Sequence, residues 1–66
     1  MFTRDELNRL ISYHSEAFEY ALRNFDVAMK RGSDASAARN LNEAATHAAI
    51  LTELRAMLAA AMGGGK

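Results

Sequence analysis

This chain has no proline and only one glycine before its last four residues, and this scarcity constrains its fold more than any other feature. The 66 residues contain no proline, and between Met1 and Met62 the only glycine is Gly32. Because these two residue types are the strongest interruptions of a helix, a long helix can form on either side of Gly32. The sequence therefore predicts an all-α fold, an antiparallel two-helix hairpin that completes a bundle with a partner or a second copy.

Local capping signals predict where both helices begin and end. Thr3 and Glu6 have the spacing of a capping box at the start of helix 1. Gly32 follows a pair of cationic residues and is typical of a helix stop. We expect a single hairpin domain, 1–62, made of helix 1 at about 4–31, a turn at 32–34 and helix 2 at about 35–62, followed by a disordered tail at 63–66.

Composition narrows the possible functions. Eight Lys and Arg balance eight Asp and Glu, and the longest basic run is Lys30-Arg31, which argues against nucleic-acid binding. Cysteine is absent, so disulfides and thiolate metal sites are excluded. The N-terminus lacks the apolar segment of a signal peptide, and the chain has no uncharged apolar run of about 18 residues. We therefore expect a cytoplasmic protein with no nucleic-acid or membrane partner.

One apolar stripe on each helix is predicted to form the hairpin core. Its residues recur every three or four positions, as one face of a helix requires. Folding the chain about residues 32–33 sets large side chains of helix 1 against small ones of helix 2, so the helices can lie close together. The predicted core comprises Leu7, Ile11, His14, Phe18, Leu22 and Phe25 on helix 1 and Leu41, Ala44, Ala48, Leu51 and Leu58 on helix 2.

A second apolar stripe on each helix predicts a partner interface. Left in water, these stripes would form a larger apolar surface than soluble monomers usually expose. Tyrosines at such positions are typical of binding hot spots, although they can also cover a hairpin edge with their hydroxyls in solvent. The predicted interface with another protein or a second copy comprises Tyr13, Tyr20, Val27, Ile50, Leu54 and Met57.

The two histidines are the only candidates for site chemistry. His14 and His47 are expected about one turn apart across the hairpin, with Glu43 four residues before His47. Metal sites in helix bundles use Glu-x-x-His and several inward carboxylates, which this chain lacks. We interpret the histidines as packed residues, with a pH-responsive interface as an open alternative. No nucleophile–base pair or phosphate-binding loop occurs, so we expect no catalytic residue, metal or cofactor and no enzyme activity.

The segment Met29 to Ala35, "MKRGSDA", carries a resemblance to a known family. Together with the chain length and the paired helices, it resembles the small E-type co-chaperones of type III secretion needle subunits (the YscE/PscE group). The resemblance implies a helical hairpin that pairs with a tetratricopeptide-like chaperone, and the two together keep a needle subunit soluble in the cytosol. It also implies that the second apolar stripe meets that chaperone and that residues Gly32 to Ala35 are structural.

A different class of function is equally compatible with two stripes on each helix. The extra stripes of two copies can pair around a two-fold axis to give a homodimeric four-helix bundle. Proteins of that kind act as small regulators, and a phage or mobile-element protein fits the same description. The two hypotheses differ in whether the partner is another protein or a second copy.

Overall fold

The fold is an antiparallel helical hairpin, as predicted. The computed structural model describes residues 1–64, in which α1 runs over Arg4–Arg31 and α2 over Asp34–Ala59. A short segment, Ala60–Gly64, continues from α2, and within it the backbone angles of Met62 and Gly63 are no longer helical. The molecule measures 50 × 16 × 15 Å, so it is a rod whose cross-section contains a single pair of helices. Of the predicted tail, Gly63 and Gly64 belong to this segment, Gly63 with a left-handed φ of 92°, and the last two residues lie outside the described part of the chain.

A reciprocal capping box fixes the start of α1. The Glu6 backbone N–H donates to Thr3 Oγ1 at 3.1 Å, and the Thr3 N–H donates to Glu6 Oε1 at 2.8 Å. Both donors would otherwise lack a partner, because the first N–H groups of a helix have no acceptor within it. The side chains of Asp5 and Glu6 also place negative charge in the first turn, where the helix dipole favours it.

The turn reverses the chain within two residues. The Ser33 N–H donates to the Ala28 carbonyl at 2.9 Å and the Gly32 N–H to the Met29 carbonyl at 3.1 Å, the two bonds of a Schellman motif. Gly32 has φ of 73°, a left-handed conformation that L side chains rarely adopt. Nothing lies within 4 Å of a Cβ built there, so backbone conformation and not crowding makes glycine favourable. The chain thus returns to the level of Ala28, and α2 begins at once.

A seven-residue repeat forms the seam between the helices. On both helices the buried side chains recur at steps of seven, with further members between, as in a coiled coil. Alanines fill the seam near the turn and leucines fill it towards the open end. The buried residues are Leu7, Ala21, Ala28, Ala37, Ala44, Leu51 and Leu54.

The register of the two helices differs from the prediction by about one turn. The His14 and His47 rings are in contact across the seam, so these residues lie at the same level. Seven residues along in either direction, Leu7 lies level with Leu54 and Ala21 with Asn40. The prediction placed His14 and His47 about one turn apart. It was wrong because the Schellman turn brings α2 back beside the last turn of α1 instead of continuing beyond it.

Three predicted residue assignments are wrong for a related reason. Leu22 and Leu41 were assigned to the hairpin core but are 38% and 49% exposed. Leu54 was assigned to the partner interface but is 7% exposed and lies in the seam. The prediction followed the largest side chains around α1, whereas the seam follows a seven-residue repeat that includes alanines. The other predicted core residues are buried or half-buried: Leu7, Ile11, His14, Phe18, Phe25, Ala44, Ala48, Leu51 and Leu58.

Candidate protein-binding faces

A two-helix hairpin has a broad face on each side of its seam. Helical spacing places Tyr13, Tyr20 and Val27, each one position before a seam residue of α1, on one side. Ile50 and Met57 hold the equivalent positions on α2, and in an antiparallel pair these positions lie on the same side. We call this surface, with these five residues, the tyrosine face. It contains the predicted partner interface without Leu54.

The tyrosine face is exposed, and its aromatic rings have a polar border. Tyr13 and Tyr20 are 64% and 62% exposed. Glu16 and Arg23 lie beside them and line the same shallow depression on α1. Within the described residues neither tyrosine hydroxyl makes a hydrogen bond to the protein. Exposed aromatic rings with free polar tips and a charged rim are the side chains that anchor protein–protein interfaces.

The opposite side carries a second apolar surface, and the sequence prediction had placed most of its large residues inside the hairpin. Large side chains on α1 and small ones on α2 follow the seven-residue repeat just beyond the seam on that side. Phe18 and Ala48 line one groove there, which confirms that they share a side. We call this surface the phenylalanine face. It comprises Ile11, Phe18, Leu22, Phe25 and Met29 on α1 and Ala38, Leu41, Ala45 and Ala48 on α2.

The spacing of the alanines could have revealed this surface from the sequence. Ala21 and Ala28 on α1 and Ala37 and Ala44 on α2 are pairs seven residues apart, the spacing of a close-packed seam. With those alanines placed in the seam, helical geometry turns the phenylalanines towards the edge of the hairpin. The predicted core instead included no alanine of α1.

The histidines form a hydrogen-bonded pair in the middle of the seam. His14 Nδ1 and His47 Nδ1 are 2.8 Å apart, so one ring donates its N–H and the other accepts. The ring centroids are 5.0 Å apart, and the Tyr13 ring packs edge-on against His14 at the same centroid distance. The contact pairs the two Nδ1 atoms with each other within an apolar seam. Protonation of both rings would place a hydrogen on each Nδ1 and abolish the bond.

Metal-binding chemistry has little support in the same region. Over residues 1–64 no group of three or more His, Cys, Asp or Glu side chains is arranged to hold a metal ion. Of the four ring nitrogens of the histidine pair, the two Nδ1 atoms bond each other. Glu43 is exposed on α2, one helical turn before His47. The arrangement is that of a structural pair in the seam.

These observations define the class of the protein as a helical hairpin with a closed seam and two exposed apolar faces. No protein-family model, curated protein or solved structure matches the chain. In the part of the chain that the structure describes, no helix is long and apolar enough to cross a membrane. The function is therefore argued from the two faces themselves.

Proposed function

We propose that the chain is a helical interaction module whose tyrosine face binds another protein. The observation that supports this is the exposure of large apolar side chains on a hairpin whose seam is already filled. Tyr13, Tyr20, Val27 and Met57 are each more than 40% exposed, and the seam between the helices does not need them. In this proposal the module acts by covering apolar surface and not by chemistry.

The proposed partner presents a helical surface. The tyrosine face is long and shallow, and an amphipathic helix or helical repeat can lie along it with side chains spaced every three or four residues. Binding would stabilise both partners by mass action and lower the concentration of the exposed, aggregation-prone form. Such a module suits the cytoplasm, where newly made partners need protection before use.

A narrower proposal follows from the resemblance of the segment Met29 to Ala35. The module would act as a type III secretion co-chaperone, pairing with a tetratricopeptide-like chaperone to keep a needle subunit soluble in the cytosol. Gly32 and Ser33, within that segment, make the backbone bonds of the turn. The shared residues thus serve the hairpin, and the tyrosine face serves the chaperone.

Binding to a purified tetratricopeptide-like needle chaperone tests this proposal. We expect a stoichiometric complex by calorimetry, with a negative heat-capacity change from apolar burial. Tyr20→Asp should weaken the complex by about tenfold or more while leaving helicity unchanged. Ser12→Asp, which adds the same charge on the outward side of α1, is the matched control and should bind like the parent. No binding by the parent, or equal loss in both variants, would contradict the proposal.

A second candidate function is a homodimeric four-helix bundle that acts as a small regulatory or phage-type protein. The observation that favours it is the phenylalanine face, whose nine residues are all uncharged, with Glu19 and Arg55 at the border of the groove beside Phe18. An uncharged apolar stripe of this length suits a permanent interface better than a transient one. Mass measurement by light scattering across a dilution series separates a stable dimer from a monomer.

A further inference from the structure

The phenylalanine face is divided into a large half and a small half. The α1 half consists of Ile11, Phe18, Leu22, Phe25 and Met29, which project from the helix. The α2 half is mostly alanine, with Leu41 as its one large side chain. Leu22, Met29 and Leu41 are 38%, 54% and 49% exposed, and Phe18 and Phe25 are half-buried, so the hairpin alone leaves the face partly uncovered. The protruding half of one copy is therefore complementary in shape to the flat half of another copy.

We infer that a second copy of the chain covers this face, with α1 of each copy packed on α2 of the other. In that arrangement both helix contacts join a large surface to a small one, so the two hairpins can lie parallel at one uniform spacing. The alternative, α1 on α1 and α2 on α2, puts phenylalanines against phenylalanines on one side and alanines against alanines on the other. Two rigid hairpins cannot close both of those contacts at once.

This pairing fixes where the two turns lie. Packing α1 on the partner's α2 requires a two-fold axis parallel to the helices, so both turns lie at the same end of the bundle. Packing α1 on α1 requires an axis across the helices and places the turns at opposite ends. Because the molecule is 50 Å long, the two arrangements differ widely in the distance between the turns.

The inferred dimer leaves the tyrosine face free. The two faces lie on opposite sides of the hairpin, so association through the phenylalanine face places one tyrosine face on each outer side of the bundle. The dimer would then bind two partner molecules. The inference does not depend on the identity of any partner at the tyrosine face.

Spin labels on single cysteines test the geometry, and the absence of native cysteine makes the labelling specific. Ser33→Cys places a label at the turn, where the native side chain makes no capping hydrogen bond. Glu16→Cys places one on the exposed surface near the middle of α1. Pulsed electron–electron double resonance on the full chain measures the distance between the two labels of a dimer.

The expected result is a short distance for both labels. Packed helices lie roughly 10 Å apart, so turns at the same end bring the two Ser33→Cys labels to roughly 20–30 Å. A turn-to-turn distance near the 50 Å length of the molecule, with a short Glu16→Cys distance, would overturn the arrangement. The absence of any dipolar coupling at either position would overturn the dimer itself.

Substitutions on the small half test the same inference independently. Ala45→Arg fills the flat surface, and we expect it to weaken association by about tenfold or more, as interface disruptions do. Ala56→Arg makes the same change on the outward side of α2, where the native alanine is also exposed, and should leave association unchanged. Equal association of the two variants would count against the face.

One further pair of variants separates this inference from the proposed function. Leu22→Glu should abolish the dimer and leave chaperone binding in place, whereas Tyr20→Asp should do the reverse. If Leu22→Glu leaves the dimer intact, the inference is wrong whatever the outcome at the tyrosine face. Circular dichroism of both variants excludes unfolding as the cause, because both residues lie outside the buried seam.

Discussion

The seam of the hairpin is built differently in its two halves. Near the turn, the buried residues are Ala21, Ala28, Ala37 and Ala44. Towards the open end they are Leu7, Leu51 and Leu54. The histidine pair lies between the two sets. One helix pair is thus held by close backbone approach at one end and by large apolar side chains at the other.

The difference reflects distance from the covalent connection. Near the turn, the chain itself keeps the helices together, so little entropy is lost in closing contacts and small side chains suffice. At the open end the helices are free to separate, and each buried leucine contributes about 1.5–3 kcal/mol to hold them. A smaller side chain should therefore destabilise the open half, and a larger side chain should destabilise the half near the turn.

Removing a leucine from the open half should have the largest effect. We expect Leu54→Ala to lower the free energy of unfolding by about 2–5 kcal/mol, because it removes buried methyl groups and leaves a cavity. Urea denaturation followed by circular dichroism measures the change. The variant is made in the Leu22→Glu background at one protein concentration, so that self-association does not contribute to the measured stability.

Leu41→Ala in the same background is the matched control. Leu41 is on the same helix and 49% exposed, so the hairpin alone should lose less than about 1 kcal/mol. If the two variants lose similar amounts, Leu41 belongs to the core after all and the assignment of the seam is wrong.

Enlarging an alanine in the turn half should have the next largest effect. Ala21 is 2% exposed, and Ala21→Leu would force the closely packed helices apart at a cost of about 1–3 kcal/mol. Ala49→Leu adds the same side chain on the exposed side of α2 and should change stability by less than about 0.5 kcal/mol. A more stable Ala21→Leu variant would show that the turn half is underpacked and that the contrast between the halves is smaller than the burial pattern indicates.

The ends of the helices follow from local rules and could be predicted. The capping box at Thr3 and Glu6 and the left-handed Gly32 depend on residues close in sequence, so no tertiary information was needed. The fold class followed from the same signals, because a single break between two long helices leaves a hairpin as the compact arrangement.

The register and the faces depended on tertiary geometry that local signals do not carry. The position of α2 follows from the bond between the Ser33 N–H and the Ala28 carbonyl, which shifts every cross-helix pair by about one turn. The choice of seam residues depended on how closely the two helix backbones can approach. Alanines such as Ala21 allow a closer approach than Phe18 or Leu22, so the alanines occupy the seam. The contact between His14 and His47 follows only once the register is known.

The histidine pair lies at the boundary between the two halves. Breaking it should affect stability less than Leu54→Ala or Ala21→Leu. His47→Leu leaves His14 without its seam partner, and the loss of this hydrogen bond should cost about 0.5–1.5 kcal/mol at pH 7. Replacing both histidines with leucine extends the leucine half by one layer and should restore the stability of the parent or exceed it. A double-mutant cycle of the two single variants and the double variant gives the coupling energy.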